Sequence, residues 1–105
     1  MNRDRLIDHF IESVKIHSES GNEKNFAEFV IRDLKALGFD VTIDNAGEKS
    51  FSNTGNVIAK IKGTLPVTPI FFCAHMDTVK PGIHVNPIIK DDIIYSDGST
   101  ILGGD

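Results

Sequence analysis

The sequence predicts an α/β domain in which helices pack on a mixed β-sheet. Apolar residues recur every three or four positions up to Gly38 and every second position after it. This change of period, from about 3.6 to 2, indicates that helices come first and strands follow. An unbroken apolar run, Ile70–Ala74, has the composition of a central strand covered on both faces.

Two amphipathic helices are predicted at the start of the chain. The first extends from Arg3 to about His17, with apolar residues on one face and charged residues on the other. The second extends from about Asn22 to Leu37. Ser20 and Glu23 have the spacing of a capping box before this helix, and the Gly38 that follows it suits a left-handed C-terminal position.

Strands are predicted after Gly38, each bounded by small or polar residues. Phe39–Ile43 and Asn56–Lys62 alternate apolar and polar side chains, and residues 45–55 between them read as a loop. After the Ile70–Ala74 run, the segments 88–89 and 93–95 flank a polar turn and predict a hairpin. Asp91, Asp92 and Asp97 are interpreted as turn residues.

Composition excludes several classes of function. The 105 residues include 15 acidic and 11 basic side chains, a net charge of −4, so nucleic-acid binding is not expected. A hydrophobic fraction of 40% is typical of a folded protein. The single cysteine and the absence of a signal-peptide pattern indicate a cytoplasmic protein, and no stretch has the roughly 18 unbroken apolar residues of a membrane helix.

Candidate metal chemistry lies where the apolar run ends. His75 and Asp77 are two residues apart, so on a strand both side chains point to the same face. A neutral imidazole is a good zinc ligand, and a carboxylate that accepts its second N–H fixes the tautomer. Without further information, however, the same pair also fits an ordinary polar transition from strand to loop.

Two other features of the sequence could also carry chemistry. Cys73 lies two residues before His75, so on a strand it would point to the same face and could act as a nucleophile. Its apolar sequence neighbours, however, favour a buried structural role. Gly103 and Gly104 permit unusual backbone angles just before Asp105, whose carboxylate could bridge two cations or belong to a simple turn. His9, His17 and His84 have no partner at metal-site spacing; the first two are expected on a helix surface.

The segments Ala74–Val79 and Ser96–Asp105 together resemble the peptidase T-like branch of the co-catalytic di-zinc exopeptidases, a family that includes aminoacylases. The resemblance implies that His75 is a zinc ligand and that Asp105 bridges two Zn²⁺ ions. It implies a catalytic role for Asp77, which would orient His75 without binding metal. The expected reaction is hydrolysis of a short peptide, such as a tripeptide, by a metal-activated water.

The family pattern continues beyond Asp105, so residues 1–105 are expected to be the N-terminal portion of a catalytic domain. The remaining ligands, the general-base glutamate and a lid domain that supports dimerisation would lie outside them. The chain alone is therefore expected to be inactive and to self-associate. Two alternatives stay open: an N-acyl-amino-acid hydrolase or dipeptidase of the same family, and a non-catalytic module with His75 and Asp77 as pocket residues.

Overall fold

The computed structural model describes residues 1–104, which form three helices and four short strands. In chain order these are α1 (Arg3–Val14), α2 (Lys24–Ala36), β1 (Asp40–Ile43), α3 (Gly47–Ser50), β2 (Val57–Lys60), β3 (Ile88–Lys90) and β4 (Ile93–Tyr95). The predicted α/β class is confirmed. The predicted Asp105 site residue lies outside the described residues.

Both predicted helices form, but α1 ends at Val14 and not near His17, and the capping box does not form. Helix α2 begins at Lys24, and the Asn53 side-chain oxygen accepts a hydrogen bond from the Lys24 backbone N–H at 2.9 Å. Glu23 accepts instead from the backbone N–H of Gly21, also at 2.9 Å. A first-turn N–H of α2 is therefore bonded to a side chain from a distant loop and not to Ser20. The Ser20 hydroxyl remains available for another partner.

The predicted mixed sheet is wrong for the described residues, which form two separate antiparallel pairs. Strand β1 pairs with β2 in the register Asp40↔Lys60 to Ile43↔Val57, and β3 pairs with β4. Within residues 1–104 the parallel pairing is limited to an isolated bridge, Glu19↔Thr78. Helix α2 packs on the β1–β2 pair. Periodicity identified these strands, but it carries no information on which strands share a sheet.

The predicted central strand at Ile70–Ala74 is also wrong. This segment is not a strand, and Ile70, Phe71 and Phe72 are 81%, 85% and 88% exposed. Cys73, expected in the core, is exposed too. An apolar run becomes a central strand only when neighbouring strands pair with its backbone and other elements cover its faces. Such neighbours do not flank it within residues 1–104.

The core is correspondingly small. Among the described residues the buried apolar side chains are Val14, Ala27, Phe29 and Val85. The Phe29 ring lies 5.9 Å from Phe26 and 5.2 Å from the His9 ring, so it joins α2 to α1. The radius of gyration is 15.5 Å, above the roughly 13 Å of a compact domain of about this length. None of the helices in residues 1–104 has the length and apolarity to cross a membrane.

The predicted loop between β1 and β2 contains the short helix α3 and is anchored by Asp44. The Asp44 carboxylate accepts from the Asn56 side-chain amide at 2.8 Å and from the backbone N–H groups of Asn56 and Ala46 at 2.8 and 3.0 Å. The Asn56 side chain first, and then these backbone groups, hold the pKa of Asp44 below its usual range. The ionised carboxylate thus ties both ends of the loop together.

Acidification should therefore destabilise this region. A carboxyl group whose pKa is lower in the folded than in the unfolded chain stabilises the fold while it is ionised. This stabilisation is complete above the ordinary aspartate pKa of about 3.9, and it is lost as the pH falls through the lower pKa of the folded state. We expect the urea concentration at the unfolding midpoint of the wild-type chain to decrease once the pH is lowered below about 4. Asp44→Asn should decrease this midpoint at pH 7 and should make it less dependent on acid pH. Asp40→Asn, at an exposed carboxylate of β1, is the matched control. An unchanged acid dependence in Asp44→Asn would contradict this role.

Candidate functional site

The predicted pair His75 and Asp77 does come together. The Nδ1 atom of His75 lies 2.9 Å from Oδ1 of Asp77, within hydrogen-bond distance. The His75 side chain is 64% exposed and that of Asp77 is 40% exposed, so both are accessible from solvent. Residues 75–77 are not a strand, yet the two side chains meet on one side of the backbone, as the i, i+2 spacing predicted.

The protonation of this pair follows from its hydrogen bonds. The Ser20 hydroxyl donates to Oδ2 of Asp77. This hydroxyl first, and the His75 ring second, hold the pKa of Asp77 below its usual range. An ionised carboxylate only accepts hydrogen bonds, so Nδ1 of His75 must donate. In its neutral form the imidazole then carries its lone pair on Nε2, the tautomer of a histidine that binds metal through Nε2.

Residues 18–20 are docked along residues 76–78 by backbone hydrogen bonds. The Thr78 N–H donates to the Ser18 carbonyl at 2.8 Å, and the Ser20 N–H donates to the Thr78 carbonyl at 3.3 Å. The Ser18 hydroxyl, itself buried, donates to the Met76 carbonyl. The Glu19 carboxylate accepts from the Gly82 N–H at 2.8 Å. The segment that carries Asp77 is therefore anchored on both sides of that residue.

A cleft beside His75 and Asp77 also receives the residues that precede Asp105. Leu102, Gly103 and Gly104 line it together with this pair. Both glycines have positive φ, +72° and +81°, as the sequence predicted. A Cβ on Gly103 would lie 3.1 Å from Oγ1 of Thr78, and one on Gly104 would lie 3.1 Å from Phe10 and Val14. Close approach and left-handed angles together require glycine here.

The remaining titratable residues lie elsewhere. His9 bonds to Asp33 of α2 at 2.7 Å, on the helix surface as predicted. The prediction for His17 is wrong, because His17 lies beyond the end of α1, with Nε2 3.6 Å from the Glu19 carboxylate. Asp91 and Asp92 form the turn between β3 and β4, and Asp97 accepts from the Ser99 N–H within its own turn, both as predicted.

The donors described so far do not complete a metal site. Within residues 1–104, histidine, cysteine, aspartate and glutamate side chains do not gather in threes or more at metal-binding distances. A wider concavity on the outer face of α1, lined by residues such as Asp4, Asp8 and Glu12, is open to solvent. We assign the site to the smaller cleft, because His75 and Asp77 lie there beside the glycines that precede Asp105.

Sequence reasoning missed Ser18 and Ser20 as parts of this site. Ser20 lies 57 positions from Asp77 and Ser18 lies 58 positions from Met76. Local spacing favoured a helix-capping role for Ser20 and gave no signal for Ser18. Contacts at this separation depend on how the chain folds back on itself, which periodicity does not reveal.

Comparison with solved structures shows similarity along the whole chain. A tripeptidase from Staphylococcus aureus subsp. aureus Mu50 is 42% identical, with a TM-score of 0.93. Aminopeptidase PepT from Bacillus cereus ATCC 10987 is 38% identical, with a TM-score of 0.95. Each match covers 100% of this chain and 28% of the solved chain.

Sequence relatives show the same coverage. The uncharacterised Bacillus subtilis strain 168 protein YqjE is 38% identical over 105 residues, which is 28% of its length. A Pyrococcus abyssi protein with the provisional name LysW-lysine/LysW-ornithine hydrolase is 33% identical over 102 residues, 27% of its length. No protein-family model matches the chain. The chain thus spans a little over a quarter of the relatives that it matches.

Proposed function

We propose that this chain, which is similar along its whole length to a tripeptidase and to aminopeptidase PepT, forms the N-terminal part of the catalytic domain of a di-zinc aminopeptidase. The proposed substrate is a tripeptide with a free N-terminus. The observation that carries the proposal is the 2.9 Å contact between Nδ1 of His75 and the Asp77 carboxylate at an open cleft. An imidazole backed by a carboxylate is the arrangement in which histidine commonly binds zinc.

The residues present fit a zinc ion. His75 would be the nitrogen ligand of one ion, and Asp105, which follows the Gly103–Gly104 turn lining the cleft, would bridge both ions. Asp77 would keep the Nδ1 proton of His75 in place and stay out of direct contact with metal. Bound zinc would supply an activated water and would polarise the scissile carbonyl.

Further ligands and a general base must come from outside these residues under this proposal. Catalytic zinc normally has three protein ligands, whereas residues 1–104 assemble no group of three candidate ligands. The chain matches 28% of each solved relative, which is consistent with most of the site being formed by residues outside these 105. We therefore expect the 105 residues alone to show no peptidase activity.

The relatives favour two different substrates. The names of the solved proteins favour a tripeptide, whereas the Pyrococcus abyssi relative is named for hydrolysis of LysW-lysine and LysW-ornithine. An N-acyl-amino-acid hydrolase or dipeptidase is therefore the second candidate. A free α-amino group on the substrate distinguishes the tripeptidase from the N-acyl hydrolase.

The test uses the complete polypeptide encoded by the gene, with added Zn²⁺ or Co²⁺. We expect release of the N-terminal residue from a tripeptide. For the N-acetylated tripeptide and for dipeptides, kcat/KM should be at least about tenfold lower, which corresponds to about 1.4 kcal/mol of activation free energy. Chelation should abolish turnover, and added metal should restore it. Preference for the N-acylated substrate would instead support the second candidate, and inactivity on every substrate with metal would support a binding module.

A further inference from the structure

We propose that Ser20 is a positioning residue of the metal site. Its hydroxyl would hold the Asp77 carboxylate in the orientation that keeps the proton of His75 on Nδ1 and the lone pair on Nε2. The inference rests on the proposed function, because it requires His75 to be a metal ligand.

The Asp77 carboxylate divides its two oxygens between two partners. Oδ1 lies 2.9 Å from Nδ1 of His75, and Oδ2 accepts from the Ser20 hydroxyl. The terminal torsion of an aspartate is broad, so a single hydrogen bond leaves the carboxylate free to rotate. With Oδ2 held as well, the plane of the carboxylate is set and Oδ1 stays directed at the imidazole.

Exposure makes this second anchor necessary. The side chains of His75 and Asp77 are 64% and 40% exposed, so water competes for the hydrogen bond between them. Burial cannot enforce the orientation at such a site. The Ser20 hydroxyl, bonded to the opposite oxygen, gives the carboxylate a second side-chain anchor.

The position of Ser20 does not depend on its own side chain. The Ser20 N–H donates to the Thr78 carbonyl, and the Thr78 N–H donates to the Ser18 carbonyl, forming the Glu19↔Thr78 parallel bridge. Gly82 adds a bond to the Glu19 carboxylate. Removing the hydroxyl should therefore leave this backbone frame intact, which separates a positioning role from a folding role.

The experiment compares Ser20→Ala and Ser20→Thr in the complete polypeptide. Two quantities are measured: Zn²⁺ affinity by competition with a chelating dye, and the tautomer of metal-free His75 from its imidazole ¹⁵N shifts. The NMR spectra are recorded at about pH 8.5, well above the ordinary imidazole pKa of about 6.5. Loss of a partner behind a ligand typically costs 10- to 100-fold in metal affinity.

Ser20 is one hydrogen bond further from the metal than Asp77, which contacts the ligand His75 directly. For Ser20→Ala we therefore expect about tenfold weaker Zn²⁺ binding and a shift of His75 from the Nδ1–H form towards a mixture of tautomers. Ser20→Thr retains a hydroxyl and should stay within about twofold of wild type. Ser52→Ala is the matched control, because Ser52 also donates to a carboxylate, that of Glu23, whose other oxygen bonds to Gly21 and not to His75 or Asp77. It should change neither quantity.

Two further variants separate the possible failures. If His75→Ala leaves Zn²⁺ affinity unchanged, the proposed function itself fails. If His75→Ala loses Zn²⁺ binding while Ser20→Ala moves neither the affinity nor the tautomer, only the role of Ser20 is overturned. Ser18→Ala removes the hydroxyl that bonds to the Met76 carbonyl. An equal tautomer shift in that variant would assign the effect to the backbone frame and would also overturn the inference.

Discussion

Replacing His75 with alanine in the complete polypeptide should lower kcat/KM for a tripeptide by at least about a thousandfold. The change removes an imidazole ligand from an ion that normally has three protein ligands. Metal catalysis supplies several kcal/mol of transition-state stabilisation, and each 1.4 kcal/mol or so corresponds to a factor of ten in rate. Steady-state kinetics with saturating Zn²⁺, together with the bound metal per protein, would measure the effect.

The matched control is His84→Asn. His84 is an exposed loop histidine with φ +57°, and asparagine tolerates this left-handed conformation. Its activity should stay within about twofold of wild type, as expected for a surface substitution worth about 0.5 kcal/mol or less. Asp77→Asn should lower the Zn²⁺ affinity by about 10- to 100-fold, because Asp77 orients His75 without binding the metal itself. If His75→Ala retained kcat/KM within tenfold of wild type, His75 would not be a metal ligand.

The second large effect concerns the apolar segment Ile70–Phe72. Its three side chains are 81% to 88% exposed in residues 1–104. Burying a large apolar side chain is worth about 1.5–3 kcal/mol, and contiguous exposed patches of this kind mark surfaces that bind other protein. The 105-residue chain produced alone should therefore self-associate, with a sedimentation coefficient that rises with protein concentration.

The double variant Phe71→Ser/Phe72→Ser should weaken this association more than tenfold, since the loss of about 1.5–3 kcal/mol per side chain exceeds the 1.4 kcal/mol of one decade. Phe51→Asn is the control, because Phe51 is 92% exposed but isolated in a loop with φ +58°. It should associate like the wild-type chain. A wild-type chain that sediments as a monomer at every concentration would contradict the prediction.

Local patterns determined the parts of the fold that local interactions control. The stripe of apolar residues located α2 to within two residues at its start, because an amphipathic helix needs one continuous apolar face. The β3–β4 hairpin formed where two apolar segments flank a polar turn, although Lys90 belongs to β3 and pairs with Ile93. Gly38, at φ +88°, terminated α2 as expected for a residue without a Cβ.

The Ile70–Ala74 segment shows where such patterns stop. Its composition correctly reports a segment with much apolar surface, but burial is a property of the neighbours and not of the segment. Cys73 illustrates the same point, since it is exposed although its sequence context is apolar. Strand assignment from an apolar run assumes covering elements, and residues 1–104 do not provide them.

The candidate site divides in the same way. The sequence by itself determined that His75 and Asp77 share one side of an extended segment, and that Gly103 and Gly104 permit a left-handed approach. Only the tertiary structure decided that Ser20 donates to Asp77 across 57 positions and that the two glycines pack into the same cleft. The physical reason is range: backbone geometry sets which neighbours share a face, whereas contacts between distant segments depend on how the whole chain packs.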